Sequence, residues 1–352
     1  MPEKTTRIKD IARLAGVSIG TVDRVLHKRG KTSPEAMSKV LAVLQKINYK
    51  PNFIARSLGS NKELKIATLV PHAPDDEYWL QCERGLKDAA NDWAHFNLSI
   101  EAYVFDLNES TSFTKAANAA LRAKPDGLLI APLFLSEAMA IFPTLSNQNI
   151  PFVTINTEIQ GANAISFIGQ HAFQSGRLAA ELLDIRNPSN KEHNTFAILH
   201  INEDLDNSIH LIEKERGFRQ YFKDSGRATV ITLSVGELTD GALKSALDDL
   251  FNRPALRGIF VSTSKAFEVA ERMDGRRKVS LVGYDLLSRN LEGLKNGTID
   301  FLIHQNPRRQ AMQAINVLSN YLIFRKEAKQ RDLFPLEVIT RENLQSYLTP
   351  DL

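Results

Sequence analysis

One cysteine, Cys82, occurs in 352 residues. A lone thiol excludes an intramolecular disulfide framework and any cysteine-built zinc site, and it fits a reducing compartment. No apolar run reaches the roughly 18 residues that a membrane-spanning helix needs, so no transmembrane segment is expected. The opening MPEKTTRIKD holds no apolar core of the kind a secretory signal carries, and a cytoplasmic protein is expected. Catalytic signatures are missing as well: GxSxG, HExxH, GxxxxGK[ST] and GxGxxG do not occur, and no two glycines are separated by a single residue. The histidines, His171, His193 and His304 among them, show no metal-ligand spacing. The expectation is a protein that is not an enzyme and holds no metal and no cofactor.

The composition, 43% hydrophobic and 24% charged, is that of a globular chain, and the length suggests about two to three domains. The formal net charge of +3 conceals a division. Residues 1–62 carry thirteen Lys/Arg against four Asp/Glu, a net of +9; the remainder carries a net of −6. A basic head on a mildly acidic body points to a polyanionic partner for the head alone.

In the head, Ile8, Ile11, Ala12 and Ala15 recur at the spacing of one helix face. An Ala-Gly-Val-Ser turn follows, in which Gly16 supplies a permissive backbone and Ser18 an N-cap hydroxyl. Val22, Val25 and Leu26 give the second helix its apolar face. Ser33-Pro34 starts a third, with Met37, Val40, Leu41 and Leu44 as its buried stripe. Three short helices with this turn make a helix-turn-helix candidate. The outward face of the second helix is Ile19, Gly20, Asp23, Arg24 and His27. Arg24 is the best candidate for base readout, because a guanidinium pairs with guanine O6 and N7. Asp23 either accepts from cytosine N4 or works against DNA. Gly20 allows close approach of the backbone to a groove.

The stretch from RIKDIARLAGVS through TVDRVL to NYKPNFIARSLGS resembles the head of the LacI/GalR (lactose-repressor-like) transcription regulators, over about fifty residues without a gap. The resemblance implies that PNFIARSL is a hinge helix. Two such helices, one per subunit, would meet in the minor groove, with Leu58 as a wedge between base pairs and Ala55 at the point of close approach. A helix so short is marginal alone; it would fold only on DNA and so serve as the element a ligand biases. The sequence departs from the family at Asp23, where serine is usual, and at Arg7, where threonine commonly caps the first helix. The expected DNA-contacting residues are Arg7, Ser18, Ile19, Gly20, Thr21, Asp23, Arg24, His27, Asn52, Ala55, Arg56 and Leu58.

Beyond the head, buried-strand patterns recur at Lys65–Val70, Ser99–Phe105, Gly127–Ala131, Pro151–Ile155, Thr195–Ile201, Ala228–Val235, Gly258–Val261, Val279–Gly283 and Ile299–Ile303, with helical patterns in most of the gaps. Continuous apolar strands alternating with helices mean parallel sheets covered on both faces. So many strands suit two sheets of five or six better than one. The fold class expected is an all-α helix-turn-helix head plus an α/β body of two doubly wound parallel-sheet subdomains. By pattern, and by pieces such as KPDGLLIAP, IPFVTIN and VSLVGYD, the body resembles the periplasmic-binding-protein type I fold that these regulators carry. The division expected is 1–50 for the DNA-binding domain, 51–62 for hinge and linker, and 63–352 for the ligand domain. Within the last, one subdomain spans about 63–167 and 306–335, the other about 168–305 and 336–352.

Open parallel sheets bind ligands beyond the carboxyl ends of their strands. Strand ends therefore nominate Asn156, Thr263, Asp285 and Gln305, and helix residue Lys214 is a fifth candidate. The resemblance implies polar ligand contacts at these positions, with arginine usual where Lys214 stands. Asp285 could accept from two adjacent hydroxyls of a sugar, or cap the helix that starts near Ser288. Lys214 either reaches a cleft, without the fork of arginine, or is solvated. Tyr78 and Trp79 could stack on a sugar ring or pack a helix. His210 and Phe134 complete the set. The whole reads as a homodimeric, ligand-controlled transcription regulator, a repressor by expectation, with palindromic operator DNA and a sugar-like effector as partners. Its rivals are a sugar-binding transport component without a DNA role and an enzyme on a doubly wound fold.

Overall fold

The computed structural model describes residues 8–27, 32–47, 63–188, 194–201, 207–226, 228–236, 240–273 and 279–348. The chain divides into two compact units, 1–61 and 62–352.

The first unit contains α1 (Ile8–Ala15), α2 (Ile19–His27) and α3 (Pro34–Lys46). Ile11, Ala12, Ala15, Val22, Val25 and Val40 form its buried core. The inter-helix turn is Gly16–Ser18, because Ala15 still belongs to α1. Gly16 sits at φ +62°, a left-handed conformation that a Cβ disfavours. Ser18 receives Thr21 N on its hydroxyl at 3.1 Å, and Ser33 does the same for Ala36 N at 3.3 Å, so both helices open on the caps expected. The stripe of α3 needs correction. Val40 is buried and Leu44 partly so, but Met37 and Leu41 are 45% and 49% exposed. Val43 and Ile47 pack against the core instead. Three short helices cover only a narrow arc of α3, and that arc is centred about one turn beyond Met37.

The second unit holds two six-stranded sheets. The first is built from β1 (Leu64–Pro71), β2 (Leu98–Phe105), β3 (Gly127–Ile130), β4 (Phe152–Ile155), β5 (Ser166–Gly169) and a late strand, β11 (Arg331–Leu333). The second is built from β6 (Asn194–Ile201), β7 (Ala228–Val235), β8 (Leu256–Val261), β9 (Ser280–Tyr284), β10 (Phe301–His304) and β12 (Glu337–Ile339). Their orders, β11-β5-β4-β3-β1-β2 and β12-β10-β9-β8-β6-β7, correspond strand for strand. All pairings are parallel except β10 with β12. Helices α4 (Glu77–Trp93), α5 (Ser110–Arg122), α6 (Leu135–Asn147) and α12 (Pro307–Phe324) accompany the first sheet. Helices α7 (Ala172–Arg186), α8 (Ile209–Ser225), α9 (Asp240–Phe251), α10 (Ala266–Ala270) and α11 (Ser288–Asn296) accompany the second. Each sheet has an apolar layer on both faces, the arrangement that continuous apolar strands dictate.

The chain passes between the lobes three times, after β5, after β10 and after β11. Gln170, on the first passage, donates its amide to His304 O at 2.8 Å and Pro335 O at 2.7 Å. One side chain thus ties all three passages together.

Candidate functional site

The carboxyl ends of both sheets face a common cleft. Asn156 follows β4 and Asp285 follows β9, corresponding strands of the two sheets. Both are non-glycine residues at positive φ, +65° and +66°. Asn and Asp tolerate that region better than other side chains, and the turn it makes directs each residue off the end of its strand.

A cavity of about 50 Å³ lies between the lobes, and Tyr78, Trp79, Asn156, His210, Lys214, Thr263 and Gln305 all line it. Seven of the nine expected ligand residues are therefore brought together, from two helices and three strand-end loops. Asp285 stands directly behind them. It is 1% exposed, and its carboxylate accepts from Gln305 N at 2.8 Å and Gln305 Nε2 at 2.6 Å. It does not cap the following helix; α11 starts without a side-chain cap of its own. Phe134 is not on the cavity wall. Its ring lies 6.0 Å from both Phe105 and Phe113, in an aromatic cluster of the first lobe.

Several polar groups on the wall are held by neighbours. Asn156 Nδ2 donates to Tyr78 Oη at 3.0 Å, and Thr157 Oγ1 donates to Asn156 Oδ1 at 3.1 Å. Tyr78 is 4% exposed; burial, followed by the nearby Cys82 and Asp285, pushes its phenol well above the usual range, so it stays a neutral hydroxyl. Tyr78 and Trp79 meet edge to face at 5.0 Å and belong both to the wall and to the first-lobe core. Lys214, 5% exposed, donates to Ser262 O at 2.9 Å and lies over the Tyr284 ring at 3.8 Å. It is a cleft residue, not a solvated helix lysine. Burial likewise pushes the Cys82 thiol up, away from the thiolate that reactivity needs.

Behind the face that Ser262 gives to the cavity, its Oγ lies 2.7 Å from His200 Nδ1, and His200 Nε2 lies 3.0 Å from Glu215 Oε2. The order serine, histidine, carboxylate resembles a nucleophilic relay. However, Ser262 is fully buried and its hydroxyl also contacts Leu199 O at 3.2 Å, so the relay fixes the carbonyl that Lys214 uses. The hydrogen bond from His200 is the largest influence holding the Glu215 carboxyl at about 2, against an ordinary 4.5; burial opposes it, and Thr232 and Arg219 assist. A folded-state value below the unfolded one gives stability that is complete above about pH 4.5 and is lost as pH falls toward 2. Glu215→Gln should therefore melt lower than the parent at pH 6, with the gap narrowing below pH 4.5. Melting temperatures measured across that range check this; a gap independent of pH would contradict it.

Two contacts clasp the lobes. Glu77, on α4, accepts Ser288 N at 3.0 Å and Ser288 Oγ at 2.7 Å, closing the N-terminus of α11 from the opposite lobe. Asn207 accepts Ser136 N at 3.0 Å and donates to Glu137 Oε2 at 3.1 Å. Leu287 and Ile209 of the second lobe pack into apolar clusters of the first. With the lobes so drawn together, the cavity is far below the roughly 300 Å³ at which small-molecule pockets begin.

Strand-end reasoning passed over Leu107, Leu133, Ser262 and Lys265, which also line the cavity. They follow β2, β3 and β8, and the same rule applied to every strand would have found them. Asp76 lines it too and caps α4 through Tyr78 N at 2.8 Å.

In the head, Ile19, Gly20, Asp23 and Arg24 are exposed along α2, with Val22 and Val25 on the inner side. Ile19 is 57% exposed, as Leu14 is at 56% on the preceding helix. Ser18 Oγ meets Thr21 Oγ1 at 2.9 Å, and Arg24 Nη2 donates to Thr21 Oγ1 at 3.3 Å. A Cβ on Gly20 would meet nothing nearer than Ser18 Oγ at 3.9 Å. Arg7, Asn52, Ala55, Arg56, Leu58 and the side chain of His27 lie outside the described residues, and so does the expected hinge helix.

Residues 66–326 match the periplasmic binding protein domain, and residues 7–52 match the lacI family of bacterial regulatory proteins. A crystal structure assigned to a LacI transcriptional regulator from Bacteroides fragilis superposes with a TM-score of 0.75 at 30% identity, covering 81% of this chain and all of that one. The chain belongs to the LacI family. Like that relative, this LacI-family chain carries the periplasmic-binding-protein fold. Among curated relatives, the ribose operon repressor of Halalkalibacterium halodurans is 26% identical over 80% of each chain. The catabolite control protein A of Staphylococcus xylosus is 29% identical, but that alignment spans 44% of each chain, less than half the length of the relative. Among the described residues of this LacI-family chain, no helix is long and apolar enough to cross a membrane.

Proposed function

We propose that this chain is a cytoplasmic, homodimeric transcription regulator, acting as a repressor, that binds a palindromic operator through residues 1–50. Residues 51–62 would be the hinge and 63–352 the domain that senses a small polar effector. The observation that carries this reading is the union, in one chain, of a helix-turn-helix that exposes Ile19, Asp23 and Arg24 with a two-lobed body whose strand ends converge on one polar cleft. The basic charge of residues 1–62 supports phosphate contact by the head. A ribose operon repressor aligned over most of the chain supports a sugar or sugar derivative as effector.

The chemistry of the cleft agrees with a sugar. Asn156, Thr263, Gln305 and Lys214 offer donors, Asp285 offers a carboxylate behind Gln305, and Tyr78 with Trp79 offers an aromatic wall. A ligand hydroxyl that takes over one oxygen of Asp285 would release the Gln305 amide. Closure around ligand sets the angle of the lobes, and with it the separation of the two hinge segments in a dimer. Such coupling works only through different affinities for the two states.

A gel shift with the DNA upstream of the protein's own gene tests the reading at low salt. A discrete retarded band is expected. None would contradict it and favour the transport component, which has no use for the head. In the same assay format, Arg24→Ala should lose discrimination at one symmetric pair of positions, worth about 1–3 kcal/mol for a bidentate base contact. Selection from random DNA reads this directly, and an unaltered motif would remove Arg24 from the base-reading set.

A further inference from the structure

A second cavity, of about 390 Å³, lies beside the passages between the lobes and shares only Gln305 with the cleft. Its volume is within the range of small-molecule pockets, roughly 300–1,000 Å³. We propose that it is a second binding site, for a neutral polyhydroxylated molecule such as a sugar or cyclitol, and that its occupant is coupled to the effector cleft.

The lining selects this chemistry. Asp332 and Glu337 place two carboxylates on the wall, which disfavours a phosphate or a sugar acid. Arg309 faces the same space, with its guanidinium 5.9 Å from the centre of the Phe334 ring, which disfavours a simple cation. What remains is a set of paired donors and acceptors suited to vicinal hydroxyls, above an apolar surface given by Phe334 and Met312. Several of the polar groups are already fixed in place. Gln313 Nε2 donates to Asp332 Oδ2 at 2.8 Å, and Asn316 Oδ1 accepts Trp93 Nε1 at 2.7 Å. Little ordering remains to be done when a ligand arrives.

The position of the cavity supplies the coupling. Arg309 and Asp332 belong to the first lobe, while His304 and Glu337 belong to the second. A molecule held by both sets senses the angle between the lobes. Gln170 ties His304 O and Pro335 O together, and both acceptors are in residues of this wall. His304 Nδ1 lies 3.6 Å from Asp285 Oδ1, and Asp285 in turn holds Gln305 in the cleft. A displacement of His304 therefore reaches the effector wall through one carboxylate. Reciprocity requires that each ligand change the affinity of the other by the same factor.

The test uses the full chain and a panel of D-ribose, D-glucose, D-galactose, D-fructose and myo-inositol, each titrated by calorimetry. Asn156→Gly and Lys214→Met disable the cleft without touching a residue of the second cavity; Arg309→Ala and the double variant Arg309→Ala/Asp332→Asn disable the second cavity. Arg309 is exposed, so its single variant keeps the test valid should the double variant fold poorly. The expected result is at least one panel member that binds both cleft variants with affinity within about threefold of the parent, and that loses at least about tenfold on Arg309→Ala. The proposal is overturned if no panel member binds the cleft variants, or if those that do are indifferent to Arg309→Ala. The second cavity requires no DNA-binding role, so its failure leaves the regulator reading intact.

Discussion

Asp285→Ala is expected to abolish the rise in melting temperature that effector produces, while the head still binds operator. The carboxylate is 1% exposed and accepts two hydrogen bonds from Gln305, one from the backbone and one from the side chain. Its removal leaves two donors beside the cleft without that acceptor, a cost of about 1–3 kcal/mol for a buried group so stranded. The unliganded variant should melt lower for that reason alone. The larger effect is on binding. Effector at a hundred times its dissociation constant stabilises the folded state by about 2.7 kcal/mol, and the variant should gain none of it. Calorimetric melts with and without ligand measure both quantities. Equal ligand-induced stabilisation in parent and variant would move the effector away from Asp285.

Gly176→Ala is expected to destabilise the second lobe and to weaken the cleft at the same time. A Cβ at 176 would lie 1.9 Å from Lys214 O, and one at the facing Gly217 would lie 1.9 Å from Phe173 O. Helices α7 and α8 cross through this pair, backbone against backbone. Helix propensity alone favours alanine by about 1 kcal/mol, so the sign of the change decides between the two effects. Overpacking of a tight core costs about 1–3 kcal/mol, occasionally more, and here the obstacle is a carbonyl oxygen, which cannot rotate aside. Because that carbonyl belongs to Lys214, moving it also draws the ammonium off Ser262 O and the Tyr284 face. Urea unfolding gives the stability and ligand titration the affinity. A stabilised variant would show that the helices have room to part.

The pattern of the chain made much of this legible. Apolar patterns placed nine strands, each overlapping a strand observed; the inner ones are buried on both faces, while the edge strands β2 and β7 keep exposed positions. The three strands not foreseen, β5, β11 and β12, are three or four residues long. Arg331-Asp332-Leu333 carries no strand periodicity; its pairing with β5 is imposed by the neighbouring sheet edge. The cleft was accessible through a single rule about strand ends, and its best expression is the pair Asn156 and Asp285, where an amide and a carboxylate also satisfy a positive φ. What that rule could not supply is the partner of each group. Gln305 is twenty residues from Asp285, and Glu77 is 211 residues from Ser288; only the folded lobes bring them together. The fate of Lys214 was undecided for the same reason, since helix position says nothing of the Tyr284 ring above which it lies. Met37 and Leu41 show the converse, a regular apolar spacing that the small head leaves uncovered.

As a ligand-controlled regulator, one chain should convert occupancy of the cleft into a change in DNA affinity. Fluorescence anisotropy on a labelled DNA duplex selected by the full chain measures this most directly. The titration is run at one fixed salt concentration, because phosphate contacts make affinity steeply salt-dependent. It is performed without and with the sugar that raises the melting temperature most. Allosteric coupling of ordinary size predicts a change of about 5–150-fold in dissociation constant, and Asp285→Ala should remove the change without removing the binding. An operator affinity identical with and without a bound sugar would contradict the account.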